Sequence, residues 1–162
     1  MDEKIRDLIS ILNSRGIRTT GSCEGHINQG SPAPWVKFTP LRRTTSGEKN
    51  CPRHRRGRTE ENQVLHKTSQ YLSEFYKTWR VPRDASLMIE KANFGFWIHN
   101  GGDSYSRWRK FVNKSVVQVR SGKNVKAYVD KEERAHRSKH LAVYQKEIEA
   151  FAKFLKRTAN RK

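Results

Sequence analysis

Residues 17–26, Ile17-Arg18-Thr19-Thr20-Gly21-Ser22-Cys23-Glu24-Gly25-His26, lie between a helical repeat and the run Pro34-Trp35-Val36-Lys37-Phe38, and their reading decides the fold class. Upstream, Ile5, Leu8, Ile9 and Leu12 recur at helical spacing, with Asp2 and Glu3 in the first turn and Gly16 at the stop, so a helix is expected over 2–15. Ile17 to Thr20 alternates apolar and polar residues and includes two β-branched threonines. Trp35 to Thr39 reads as a second strand closed by Pro40. The reactive residues from Gly21 to His26 are therefore expected in a loop leaving a strand.

Downstream, residues 41–58 lack hydrophobic periodicity and are expected to form a long basic loop. Thr59 is a good N-cap for a helix whose apolar face is Val64, Leu65, Leu72, Phe75, Tyr76 and Trp79, ended by Val81-Pro82. Two β runs, 86–90 and 94–99, read as a hairpin before the turn Asn100-Gly101-Gly102. A short helix over 105–112 and a hairpin joining 116–120 to 125–129 are also expected. Asp130 then caps a long final helix with Leu141, Tyr144, Ile148, Phe151, Phe154 and Leu155 on one face. The expected architecture is a single α+β domain, residues 1–162, with an N-terminal helix, short mixed or antiparallel strands and hairpins, and a long C-terminal helix.

The 162 residues carry 34 Lys and Arg against 16 Asp and Glu, a net charge of +18. Such a field concentrates polyanions and makes their binding salt-dependent, so nucleic acid is the expected partner. The charge is uneven: +6 over residues 41–58, zero over 59–100 and +11 over 101–162. The middle reads as scaffold and the flanks as contact surface. A mean hydropathy of -0.95 leaves the core to four Trp, seven Phe and five Tyr. No apolar run nears the roughly 20 residues that span a bilayer, and the N-terminus lacks the order of a signal peptide, so a cytoplasmic protein with no membrane partner is expected.

Several clusters carry chemistry. Cys23-Glu24-Gly25-His26 and Cys51-Pro52-Arg53-His54 are both C-x-x-H, and Cys23, His26, Cys51 and His54 together have the ligand count of a tetrahedral zinc site. Alternatively, Cys23 is a small buried hydrophobe, or a nucleophile beside Glu24 and His26, the three forming a catalytic set. His99 and Asn100, at a strand end before a double-glycine turn, are candidate ligand contacts; the plainer reading is a turn that satisfies its own backbone. Phosphate contacts are expected from Arg42, Arg43, Arg53, Arg55, Arg56 and Arg58. Arg107, Trp108, Arg109 and Lys110 interleave an aromatic with cations, the composition that stacks bases while holding phosphates.

The stretch Thr19 to His26 resembles the T-T-S-S-C-S-G-R run of the wybutosine-synthesis tRNA methyltransferase family, which also follows an N-terminal helix; Gly21 and His26 stand where the family has Ser and Arg. The S-C-E-G-H then P-W-V arrangement is also similar to small uncharacterised bacterial and phage proteins. The methyltransferase resemblance implies a tRNA substrate, S-adenosylmethionine as methyl donor, and ligand contacts at Ser22, Cys23 and Gly25. No G-x-G-x-x-G loop for a cofactor is visible in the sequence. The leading expectation is an RNA-binding protein, acting on structured RNA or tRNA, with an RNA-modifying, methyltransferase-like activity as its extension. A zinc-stabilised adaptor binding DNA or protein, without catalysis, is the alternative.

Overall fold

The computed structural model describes residues 3–28, 31–40, 53–80, 85–92, 95–101, 129 and 131–159. Among these, three helices and one four-stranded sheet follow the order α1 (Glu3–Ser14), β1 (Ile17–Cys23), β2 (Trp35–Pro40), α2 (Arg53–Thr78), β3 (Leu87–Ala92), β4 (Gly95–Asn100) and α3 (Lys131–Ala159). The strands lie in the order β1-β2-β4-β3, and every pair is antiparallel, so this is an α+β fold. None of its described helices is long and apolar enough to cross a membrane.

The helices cover one face of the sheet. Ile5, Leu8 and Leu12 of α1, Phe75 of α2, and Ile148, Phe151 and Leu155 of α3 share one apolar cluster with Ile17, Val36, Phe38, Leu87, Phe96 and Ile98 of the strands. Phe75 is its hinge, with ring centroids 5.4 Å from Phe151 and 5.8 Å from Trp79. Gly16, in a left-handed conformation (φ 76°), ends α1 and returns the chain into β1. There Asn13 clasps Thr19: its Oδ1 accepts from the Thr19 amide at 2.9 Å, and its amide nitrogen lies 3.0 Å from Thr19 Oγ1.

Two boundaries differ from the sequence reading. First, β1 runs through Cys23, so Gly21, Ser22 and Cys23 are strand residues and only Glu24 to His26 leave it. Pairing with Val36 and Lys37 overrides the weak strand propensity of Gly21 and Ser22. Second, α2 begins at Arg53, so the basic loop expected over 41–58 does not extend past that residue. Arginine is a good helix former, and with no apolar residue in 53–58 there was no periodicity to reveal the extra turns. The rest of that loop, the short helix over 105–112 and the hairpin strands over 116–128 lie outside the described residues.

Candidate nucleic-acid interface

Alternation along each strand puts a second set of residues on the face opposite the helices. Register builds this face as two cross-strand rows. In one, Cys23, Trp35, His99 and Met88 lie side by side; in the other, Gly21, Lys37, Trp97 and Glu90 do. Between the rows, Trp35 and Trp97 stack with centroids 5.3 Å apart and planes 15° from parallel. Both indoles are half-buried, as is Lys37, while Met88 is exposed. The Trp35 ring lies over Gly21, where a Cβ would come into van der Waals contact with it, 3.4 Å from the indole Cζ3.

His99 is held within this face. Its Nδ1 lies 2.8 Å from the Asn100 carbonyl, so that nitrogen carries a proton, and Nε2 lies 3.4 Å from Glu90 Oε2. Asn100 is turned the other way and is 1% exposed. Its amide nitrogen donates to the Ala85 carbonyl at 2.7 Å and reaches the Tyr144 carbonyl of α3 at 3.5 Å, so it ties the strand end to the helix layer.

Glu24 to His26 pack onto α3. Gly25 has φ +79°, and a Cβ at this position would lie 2.6 Å from Leu141 Cδ1 and 3.0 Å from the Ala33 backbone. The close approach of loop to helix accounts for that glycine. Gln145 donates to the Glu24 carbonyl at 3.0 Å, and the buried Arg137 donates to the His26 carbonyl at 3.0 Å and to Glu133 at 2.8 Å. The His26 amide returns to the Ser31 carbonyl at 2.8 Å, and the Gly25 amide donates to Cys23 Sγ at 3.4 Å. Cys23, Glu24 and His26 are half-buried. Ser22 pairs with Val36, on the opposite phase from Cys23.

Of the residues singled out by sequence, Cys23 and His99 thus share a sheet face, two strands or about 10 Å apart along the sheet. Arg42, Arg43, Cys51, Arg107, Trp108, Arg109 and Lys110 lie outside the described residues. Arg53, His54, Arg55, Arg56 and Arg58 lie on the first turns of α2, where only the backbone is described. Among the described residues no three His, Cys, Asp or Glu side chains gather into a metal-binding group.

Sequence reasoning missed the tryptophan pair, whose signal is Trp at positions that alternation assigns away from Val36, Phe38 and Ile98. It also missed a buried carboxylate. Glu147 of α3, 1% exposed, accepts from Tyr76 Oη at 2.6 Å and from Trp79 Nε1 at 2.8 Å. Tyr76 Oη in turn accepts from the Leu87 amide at 2.6 Å, which joins α2, β3 and α3 through one polar chain. Burial raises the Glu147 carboxyl above its ordinary range despite the two donors, and burial together with the carboxylate raises the Tyr76 phenol. These groups are satisfied within the fold and hold it together. Comparison of the chain with protein-family models, with curated proteins and with solved structures returns no match.

Proposed function

We propose that the protein binds RNA, taking unpaired bases of a structured RNA onto the sheet face that carries Trp35 and Trp97. The observation that carries this reading is the stacked indole pair with Lys37 beside it, on the face turned away from the helices. Unpaired bases stack on aromatic rings irrespective of their identity, and each such contact is worth about 1–3 kcal/mol. Lys37 adds a cation for the phosphate that follows a stacked base. The net charge of +18 supplies the long-range attraction.

The test is a titration of Trp35→Ala and Trp35→Phe against a single-stranded RNA, followed by intrinsic fluorescence. Loss of one stacked base weakens binding about 5- to 150-fold in Trp35→Ala, whereas Trp35→Phe retains most of the affinity. Equal affinity of wild type and Trp35→Ala, with folding intact by circular dichroism, overturns the proposal.

A further inference from the structure

A second surface lies in the helix layer. A groove of about 580 Å³ runs between the end of α2 and the C-terminal half of α3, lined by Trp79, Lys146, Glu149, Lys153, Lys156 and Arg157. Positions 146, 149, 153, 156 and 157 recur at helical spacing, so they form one stripe along α3. That stripe carries four cations and one carboxylate, and all four cations are exposed. The floor is rigid: the Trp79 indole N–H is committed to Glu147 at 2.8 Å, and its ring stacks on Phe75, 19° from parallel. Lys and Arg stems lie well along such an apolar floor while their charged ends stay in water.

From these observations we infer that the groove is a phosphate track, which holds the phosphodiester backbone of RNA without reading its bases. It rests on the proposal that the protein binds RNA, and adds a surface that the tryptophan face does not supply. From Lys146 to Arg157 the stripe rises roughly 16 Å along the helix axis, enough for several consecutive phosphates of a strand. No stacking surface is needed here, since Trp79 is locked at its edge by Glu147 and along its ring by Phe75. Positioning contacts to phosphates and specifying contacts to bases are commonly divided between surfaces in this way.

The discriminating probe is an abasic oligonucleotide, which keeps the backbone and lacks every base, titrated beside an ordinary single-stranded RNA between about 50 and 200 mM salt. The triple variant Lys146→Gln, Lys153→Gln, Arg157→Gln keeps good helix formers on an exposed face. Each lost phosphate contact removes about 0.7 from the log–log salt slope, so the slope should fall by about 2 for both probes. A control triple variant, Arg6→Gln, Lys91→Gln, Lys139→Gln, removes the same charge from exposed sites elsewhere and should leave the slope near wild type. Equal slopes in the two triple variants, or undiminished abasic binding by the groove variant, overturn the phosphate track. So does an acidic peptide that binds the wild type more tightly than RNA and is released by the groove variant. Trp35→Ala separates the two proposals: it should weaken ordinary RNA and leave abasic binding intact. If it spares ordinary RNA while the groove variant loses the abasic probe, the base platform falls and the track stands.

Discussion

The two faces of the sheet spend their aromatic residues differently. On the helix side Phe38, Phe75, Phe96 and Phe151 are at most 4% exposed and packed among aliphatics, and the polar groups there, Glu147, Tyr76 and Asn100, have named partners within the fold. On the outer side two of the largest side chains stack on each other and stay half-buried, with Lys37 and Glu90 in the adjoining row. A core needs volume and closure; a recognition surface needs flat rings and charge at its rim. On the proposed function, the contrast gives stability to one face and RNA binding to the other.

Substitutions can break that assignment, and the largest effect belongs to the core. Phe151→Ala should cost about 3–5 kcal/mol in urea denaturation, since a fully buried ring leaves a cavity between Phe75 and α3. Trp35→Ala, in the same assay, should cost less: roughly 1 kcal/mol for the aromatic pair, added to the smaller area that a half-buried indole loses. If the two losses are equal, the outer pair is core and the contrast fails.

Gly25→Ala should cost about 1–2 kcal/mol for the left-handed backbone alone, and more as Leu141 is displaced, seen as a lower melting temperature. Unchanged stability with reduced RNA binding would instead mean that a ligand, not α3, requires this glycine.

The smallest effect is one of pH. Because burial raises the Glu147 carboxyl above its ordinary value of 4.5, the folded state holds the proton more tightly than the unfolded chain does. The resulting stability is complete below about pH 4.5 and is lost as pH rises through the folded value. Glu147→Gln removes this titration, so the stability of wild type relative to the variant should decline as pH rises above about 4.5. A flat difference would show that the Tyr76 and Trp79 donors offset the burial in full.

Much of the helix side was legible from sequence. Ile5, Leu8, Ile9 and Leu12 are all buried as their spacing requires, and so are Leu141, Tyr144, Ile148, Phe151 and Leu155. Periodicity reports which residues face inward, and these elements follow it. It does not report which strands become neighbours. The stacking of Trp35 on Trp97 depends on β2 pairing with β4, strands separated by the whole of α2 and β3. Polar residues inside the fold were equally hidden. Arg137 stands among His136, Lys139 and His140 in the sequence, yet it is fully buried, with the His26 carbonyl and Glu133 accepting its hydrogen bonds. Nothing local distinguishes Glu147 from the solvated Glu and Lys around it. Within Thr19 to His26, the sequence drew attention to the thiol and imidazole, while the folded chain uses the glycines and carbonyls to dock the segment.

The register shift in β1 falls between Thr19 and Gly21, with Thr20 as the extra residue. A strand alternates with a rhythm of two, and an unpaired residue resets its phase. Had Thr20 paired opposite Lys37 in an unbroken ladder, Gly21 would have turned toward the helices and Thr20 would have taken its place, with a side chain where the indole now rests on bare backbone. Deleting Thr20 should therefore be better tolerated than any other single deletion in β1, because Ile17 and Thr19 would keep facing the helices while Gly21 and Cys23 would keep facing the tryptophans. The threonine that makes no ladder pair is the one that puts a glycine beneath Trp35.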